Sequence, residues 1–286
     1  MGITNNNFKF LLNNIKLFKN KKLITIGRQQ KYFDLNNFKK NDLIKKNFSN
    51  EDYRNDFYID NVFKKISNNN VTSLDFSEDR GKTNIKFNLN EPIPKKYYNK
   101  FDILIDGGTL EHILDLKNCI QNYQKLIRKN GHFFIFTTAN NYFGHGFYQF
   151  SLEFFNNIFS STNGFKILDI ILCEHNFPGA ELSKKNNWYR PRYNKDNKFK
   201  RFSVVNNSPI MIYILIKKIK NTKISFNFVQ SDYLEIIKKI NKKNNLRQFL
   251  INNIKKNKKL FDYIYGLKQK KEFKLSNEKF FIKVKN

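Results

Sequence analysis

The sequence predicts an α/β protein built on a mostly parallel sheet with helices on both faces. Two observations carry that reading: seven short runs rich in apolar, β-branched or aromatic residues, and helix-period segments between several of them. A crossover helix must pack back onto the sheet between parallel strands, so this alternation points to a sheet covered on both sides. A third observation, a change of pattern near residue 221, predicts a basic helical C-terminal appendage.

Phe8, Leu11, Leu12, Ile15 and Phe18 fall on one helical face, so a helix is expected over Phe8–Phe18. The run LITI, Leu23–Ile26, stopped by Gly27, reads as the first buried strand. Lys31–Asn70 is polar and irregular, with one helix expected around Tyr58–Ile66. VTSLD (Val71–Asp75), IKFNLN (Ile85–Asn90) and FDILID (Phe101–Asp106) supply three more strands. Leu116, Ile120, Tyr123 and Ile127 then share a face, predicting a helix over Leu116–Arg128 that Asn130-Gly131 would close. HFFIFTT (His132–Thr138) is the fifth strand, and a short helix is expected over Ser151–Phe159 with Ser151 as its N-cap. FKILDIILCE and PIMIYILIKKI make the last two strands, able to pair antiparallel at the edge. Beyond Asn221, three apolar groups read as Lys-studded amphipathic helices: Leu234 to Ile240, Leu246 to Ile254 and Leu260 to Leu267. The expected organisation is a core domain over 1–220, an insertion over 175–208 capping one end of it, and a Lys-rich extension over 221–286.

The chain has 286 residues and a formal charge of +29. Such a charge would ordinarily suggest nucleic acid or an anionic membrane as partner. Lys, Asn, Ile, Phe and Tyr are abundant together, however, and their codons are A/T-rich, so solvated lysines without a dedicated partner are the favoured reading. Two cysteines, Cys119 and Cys173, are too few and too far apart for a disulfide framework or a zinc knuckle and fit a reducing compartment. No run of 18 apolar residues and no signal-peptide pattern occurs, so a soluble, cytoplasmic protein is expected.

In an open parallel sheet, ligands sit beyond the carboxyl ends of the strands. Those ends carry Gly27-Arg28-Gln29, Asp75-Phe76, Asn88-Leu89-Asn90, Asp106-Gly107-Gly108 and Asn140-Asn141. Each set alone is ordinary turn chemistry. In order, they are what a nucleoside needs: a glycine for close backbone approach, a carboxylate for the ribose hydroxyls and amides for a base edge.

The succession LITIGRQ, SLDFS, NLNEPIP, FDILIDGGTLEHI, RKNGHFFIFTTANNYFGHGFYQFS and WYRP resembles a group of bacterial class I S-adenosylmethionine-dependent methyltransferases, over roughly Leu23 to Lys217. The resemblance implies a Rossmann-like fold, S-adenosyl-L-methionine as cofactor and methyl transfer to an oxygen or nitrogen of a small-molecule or carbohydrate-like acceptor. It places Gly27 and Arg28 under the methionine part of the cofactor, Asp75 and Phe76 at the ribose, and Asn88 and Leu89 beside the adenine. Asp106, Gly107 and Gly108 would line the cofactor near its transferable methyl. The sequence departs from the family in having a single glycine after the first strand and Thr25-Ile26 before it. The alternative is therefore a decayed methyltransferase scaffold whose basic tail contacts nucleic acid, a membrane or a protein.

Glu111 and His112 follow the fourth strand, and His145 lies between two glycines among aromatics. These three are the expected catalytic residues, histidine being suited to taking a proton near neutral pH. Trp188, Tyr189, Arg190 and Arg192 in the insertion are candidates for capping the acceptor side. No metal is assigned. The resemblance implies that a metal site here would use Glu-His with another acid three residues earlier; that position is Gly108 in this sequence, so the ligand set would be complete only if His145 contributes.

Overall fold

A computed structural model describes residues 2–48, 57–77, 84–177, 179, 186–192, 203–229 and 258–285. The chain divides into two compact units: 1–188 with 208–226 and residue 286, and 189–207 with 227–285.

In the first unit, β1 (Gly2–Thr4) leads into α1 (Asn5–Asn13), and β2 (Leu23–Ile26) is followed by β3 (Gln30–Tyr32). Helices α2 (Asp42–Asn47) and α3 (Asp60–Ser67) precede β4 (Val71–Asp75), β5 (Ile85–Lys86) and β6 (Phe101–Gly107). Helix α4 (Leu116–Leu126), β7 (Ile127–Asn140), α5 (Leu152–Ile158) and β8 (Phe165–Glu174) come next. The strand Asn187–Pro191, β9, straddles the boundary between the units, and β10 (Ile210–Lys218) returns to the first.

The strands of the first unit run β5-β4-β2-β6-β7-β10-β8 across the sheet. The five from β5 to β7 are parallel, while β10 is antiparallel to both β7 and β8. From β2 the chain builds outward through β4 and β5 on one side, and through β6 and β7 on the other. The order therefore reverses between β2 and β6, the switch point at which doubly wound sheets bind ligands. All of β2 and β6 is buried, so the sheet is covered on both faces. Phe10 of α1 meets Phe134, Phe136, Trp188 and Tyr213, and these rings are buried; such edge-on pairs add to the gain from burial alone.

The expected seven-strand, mostly parallel architecture is what the first unit forms, with local differences. The first helix stops at Asn13, where the Asn14 side chain donates to Phe10 O and a 3-10 turn takes over. The third strand shrinks to Ile85–Lys86, because the buried Asn122 takes up the following backbone: its amide donates to Leu89 O and Glu91 O and accepts from Ile93 N. Asn130-Gly131 does not close α4. That helix ends at Leu126, where Lys218 Nζ donates to Gln124 O and Ile127 O, and Asn130, at φ 67°, lies inside β7. The runs β8 and β10 do pair antiparallel, but β10 sits between β7 and β8. A small parallel pair, β1 with β3, was not anticipated.

In the second unit, β9 neighbours β11 (Phe281–Val284), and α6 spans Lys258–Glu272. Phe273 packs on Phe280, and Arg192 N donates to Phe280 O. The expected helix over Leu260–Leu267 is thus formed, whereas those over Leu234–Ile240 and Leu246–Ile254 lie outside the described residues.

Candidate functional site

Two clefts open at the carboxyl ends of the parallel strands, and both are lined by His112.

The first cleft, of about 360 Å³, is lined by Gly27, Leu74, Asp75, Phe76, Phe87, Asn88, Leu89, Asn90, Thr109, His112 and Ile113. Gly27 adopts φ 74°, a conformation that favours glycine, and so turns the chain sharply out of β2. Its N–H donates to Leu74 O, and the next N–H, of Arg28, donates to Asp75 Oδ2 at 2.8 Å. Asp75 Oδ1 accepts from Ser77 N, so this carboxylate ties together the ends of β2 and β4. The opposite wall is held by Asn122 and by Asn90, whose side chain accepts from Asp115 N while its carbonyl accepts from Asn118 Nδ2. Phe76, 70% exposed, stands at the mouth.

The second cleft, of about 300 Å³, is lined by residues from six parts of the first unit. Gly2, Thr4 and Asn7 come from the N-terminus, Tyr32 from β3, and Gly107, Gly108, Glu111 and His112 from the turn after β6. Thr138 belongs to β7, Tyr142 and His145 follow it, and Gly179 and Met211 of β10 complete the lining. Asn7 Oδ1 accepts from the N–H and hydroxyl of Thr4, the capping box of α1, which fixes the amide's orientation. Its Nδ2 is buried with no hydrogen-bond partner among the described residues.

The turn between the clefts is organised by Asp106. Its fully buried carboxylate accepts from Gly108 N, Thr109 N and Leu110 N, and from the hydroxyl of Tyr123. Burial nevertheless raises its pKa to about 6. Glu111, also buried, accepts from the Thr137 hydroxyl on Oε2, while Oε1 lies 3.9 Å from His145 Nε2. Burial first, and the Asp106 charge second, push its pKa up to about 8. The His112 and His145 rings are 5.1 Å apart, and burial together with His145 lowers the His112 pKa. Phe147 N donates to Glu111 O, which fastens the loop after β7 over this turn. A Cβ at Gly146, φ 77°, would come within 2.7 Å of that same oxygen, so only glycine fits there.

Of the residues singled out from sequence, Gly27, Asp75, Phe76, Asn88 and Leu89 share the first cleft, and Gly107, Gly108, Glu111, His112 and His145 share the second. Arg28 and Asp106 line neither. The Arg28 guanidinium pairs with Asp60 and lies 3.8 Å over the Tyr58 ring, and Asp106 lies beneath the turn as its organiser. Trp188 packs in the core of the first unit against Phe10 and Tyr213. Asn7, Thr109 and Asn122 went unrecognised. Asn122 works through contacts distant in the chain, so nothing local marks it, whereas Asn7 completes a local capping box with Thr4 and Thr109 lies within the GGTLEH stretch.

The strand order and the antiparallel β10 give the Rossmann-like fold of the methyltransferases. Solved structures of similar fold include S-adenosylmethionine-dependent methyltransferases from Archaeoglobus fulgidus (14% identity, 73% of this chain and 92% of that one, TM-score 0.42) and Aquifex aeolicus (8%, 72% and 88%, 0.38). Another is the 1,6-didemethyltoxoflavin-N1-methyltransferase of Burkholderia thailandensis, solved with bound 1,6-didemethyltoxoflavin and S-adenosylhomocysteine (12%, 74% and 76%, 0.40). No family model and no curated protein matches the chain.

Proposed function

We propose that the chain is an S-adenosylmethionine-dependent methyltransferase whose first cleft takes the adenosyl group and whose second takes the methyl acceptor. The observation that carries this reading is that the two clefts share His112, so a donor in one and an acceptor in the other would meet beside it. The first cleft has the size of a small-molecule site. Asp75 offers carboxylate oxygens for ribose hydroxyls, the backbone of Asn88–Asn90 lies where a base edge would be read, and exposed Phe76 offers a ring for stacking. The unpartnered Asn7 Nδ2 is a donor for a carbonyl or carboxylate oxygen in the second cleft, where its desolvation would be repaid.

When bound, the cofactor supplies an electrophilic methyl on a sulfonium. The protein's task is then chiefly to hold the acceptor atom in line with it. His112 and His145 stand where an acceptor proton would be taken up, and Glu111 backs them from the buried side. Among the described residues, no Lys or Arg lines either cleft. That favours a small acceptor over a phosphate-bearing polymer, although the chain is strongly basic.

Calorimetric titration with S-adenosylhomocysteine tests the reading. Binding is expected in wild type, weakened about tenfold or more by Asp75→Ala through loss of charge-assisted hydrogen bonds. No detectable binding by the wild type would leave the decayed-scaffold alternative standing.

A further inference from the structure

Three metal-ligating side chains converge in the second cleft although they come from two separate turns. Glu111, His112 and His145 each offer one ligand atom, and the three atoms lie within 4.8 Å of one another. We propose that these residues hold a single divalent transition-metal ion, of the Mn²⁺, Co²⁺ or Zn²⁺ kind, at the acceptor end of the cleft.

The donor set selects the ion. Two imidazoles and one carboxylate suit intermediate transition metals, whereas Mg²⁺ and Ca²⁺ prefer all-oxygen surroundings. Three ligands on one side also leave coordination positions open toward the cleft.

The surroundings are those of a built site. Glu111 is only 1% exposed, and no Lys or Arg pairs with it among the described residues. A buried carboxyl without a cation must hold its proton or lose stability, and a metal ion would resolve that conflict. One of its oxygens is oriented by the Thr137 hydroxyl, which leaves the other facing His145, the kind of outer support that fixes metal ligands. The His112 and His145 rings lie side by side, their centroids 5.1 Å apart.

Ligand atoms around an ion at about 2.1 Å stand roughly 3 Å apart, so the set must close by about 1–2 Å. His145 can supply that movement. It is half exposed, and it sits between Gly144 and Gly146, both at positive φ, on a loop anchored by Phe147 N to Glu111 O.

This inference rests on the methyltransferase reading only for the identity of the neighbouring ligands. There the ion would act as a Lewis acid on the acceptor, and the histidines would serve as its ligands rather than as free bases. The test uses the tag-free full-length chain, stripped with chelator and titrated with Co²⁺ by visible absorption and with Zn²⁺ and Mn²⁺ by calorimetry. One ion per chain is expected, with affinity reduced about tenfold or more in Glu111→Gln and in His145→Ala. His145→Ala alters an exposed side chain, so it keeps the test interpretable should Glu111→Gln fail to fold. Absence of stoichiometric uptake, or uptake of unchanged affinity in His145→Ala, overturns the proposal. S-adenosylhomocysteine is titrated in parallel. Metal uptake without its binding would leave the ion site standing and the methyltransferase reading failed, and the converse would sink the ion site alone.

Discussion

His175 is wholly buried at the end of β8, and neither ring nitrogen has a hydrogen-bond partner among the described residues. Desolvation alone lowers its pKa to about 4. Between pH 6.5 and 4 the unfolded chain binds a proton here that the folded chain refuses, so stability falls as pH drops through that window and no further below it. At pH 5 the loss relative to pH 7 comes to about 2 kcal/mol. Urea midpoints at the two pH values should show it, and His175→Leu should flatten the difference; equal slopes in both proteins would refute it. Asp106 presents the opposite case, a carboxyl kept buried by its donors. In Asp106→Asn one oxygen becomes an NH₂ that faces Leu110 N–H and the Tyr123 hydroxyl. A cost of about 2–4 kcal/mol is expected in chemical denaturation, since a buried donor then meets donors. The sequence marked Asp106 correctly as a strand-end acid. It could not tell an acid that faces a ligand from one that gathers three N–H groups beneath a turn, because both roles favour the same residue type.

At the scale of elements, periodicity located β2, β4, β6, β8 and β10 almost to the residue, since each is a short apolar run bounded by polar or glycine residues. What it missed were terminations made by distant side chains. Asn130-Gly131 has the local chemistry of a helix end, yet α4 stops earlier because Lys218, far away on β10, reaches its last carbonyls. The same limit hid Asn122, which shortened β5 and shaped the wall of the first cleft. Lys218 is 2% exposed, and burial lowers its pKa to about 8. Replacing it in Lys218→Met would take this donor from the part-buried Gln124 carbonyl and the buried Ile127 carbonyl, at a cost of about 2–3 kcal/mol. Thermal unfolding should report that loss, while S-adenosylhomocysteine affinity stays as in wild type, because Lys218 lines neither cleft. A Lys218→Met protein as stable as wild type would show that water serves those carbonyls equally well.

For the whole molecule, the question is whether a charge of +29 bears on the chemistry. The sequence reading favoured solvated lysines; of the two clefts, the first carries Asp75, the second carries Glu111, and no Lys or Arg lines either among the described residues. Whether charge and site are separate properties of the chain is a question that salt answers. A ligand held by Asp75, backbone groups and an aromatic ring displaces few counterions, so its affinity should shift by no more than about twofold between 50 and 500 mM salt. A polyanion attracted by the lysines would lose affinity steeply, by about 10³-fold or more over a fourfold rise in salt if several phosphates are contacted. S-adenosylhomocysteine and a short RNA, each titrated across that range, give the two slopes directly. A shallow slope for the nucleoside beside a steep one for RNA would place the polyanion on the lysines outside the clefts. A steep slope for the nucleoside would mean that cationic groups reach the first cleft after all, and the case for a small acceptor would lose its main support.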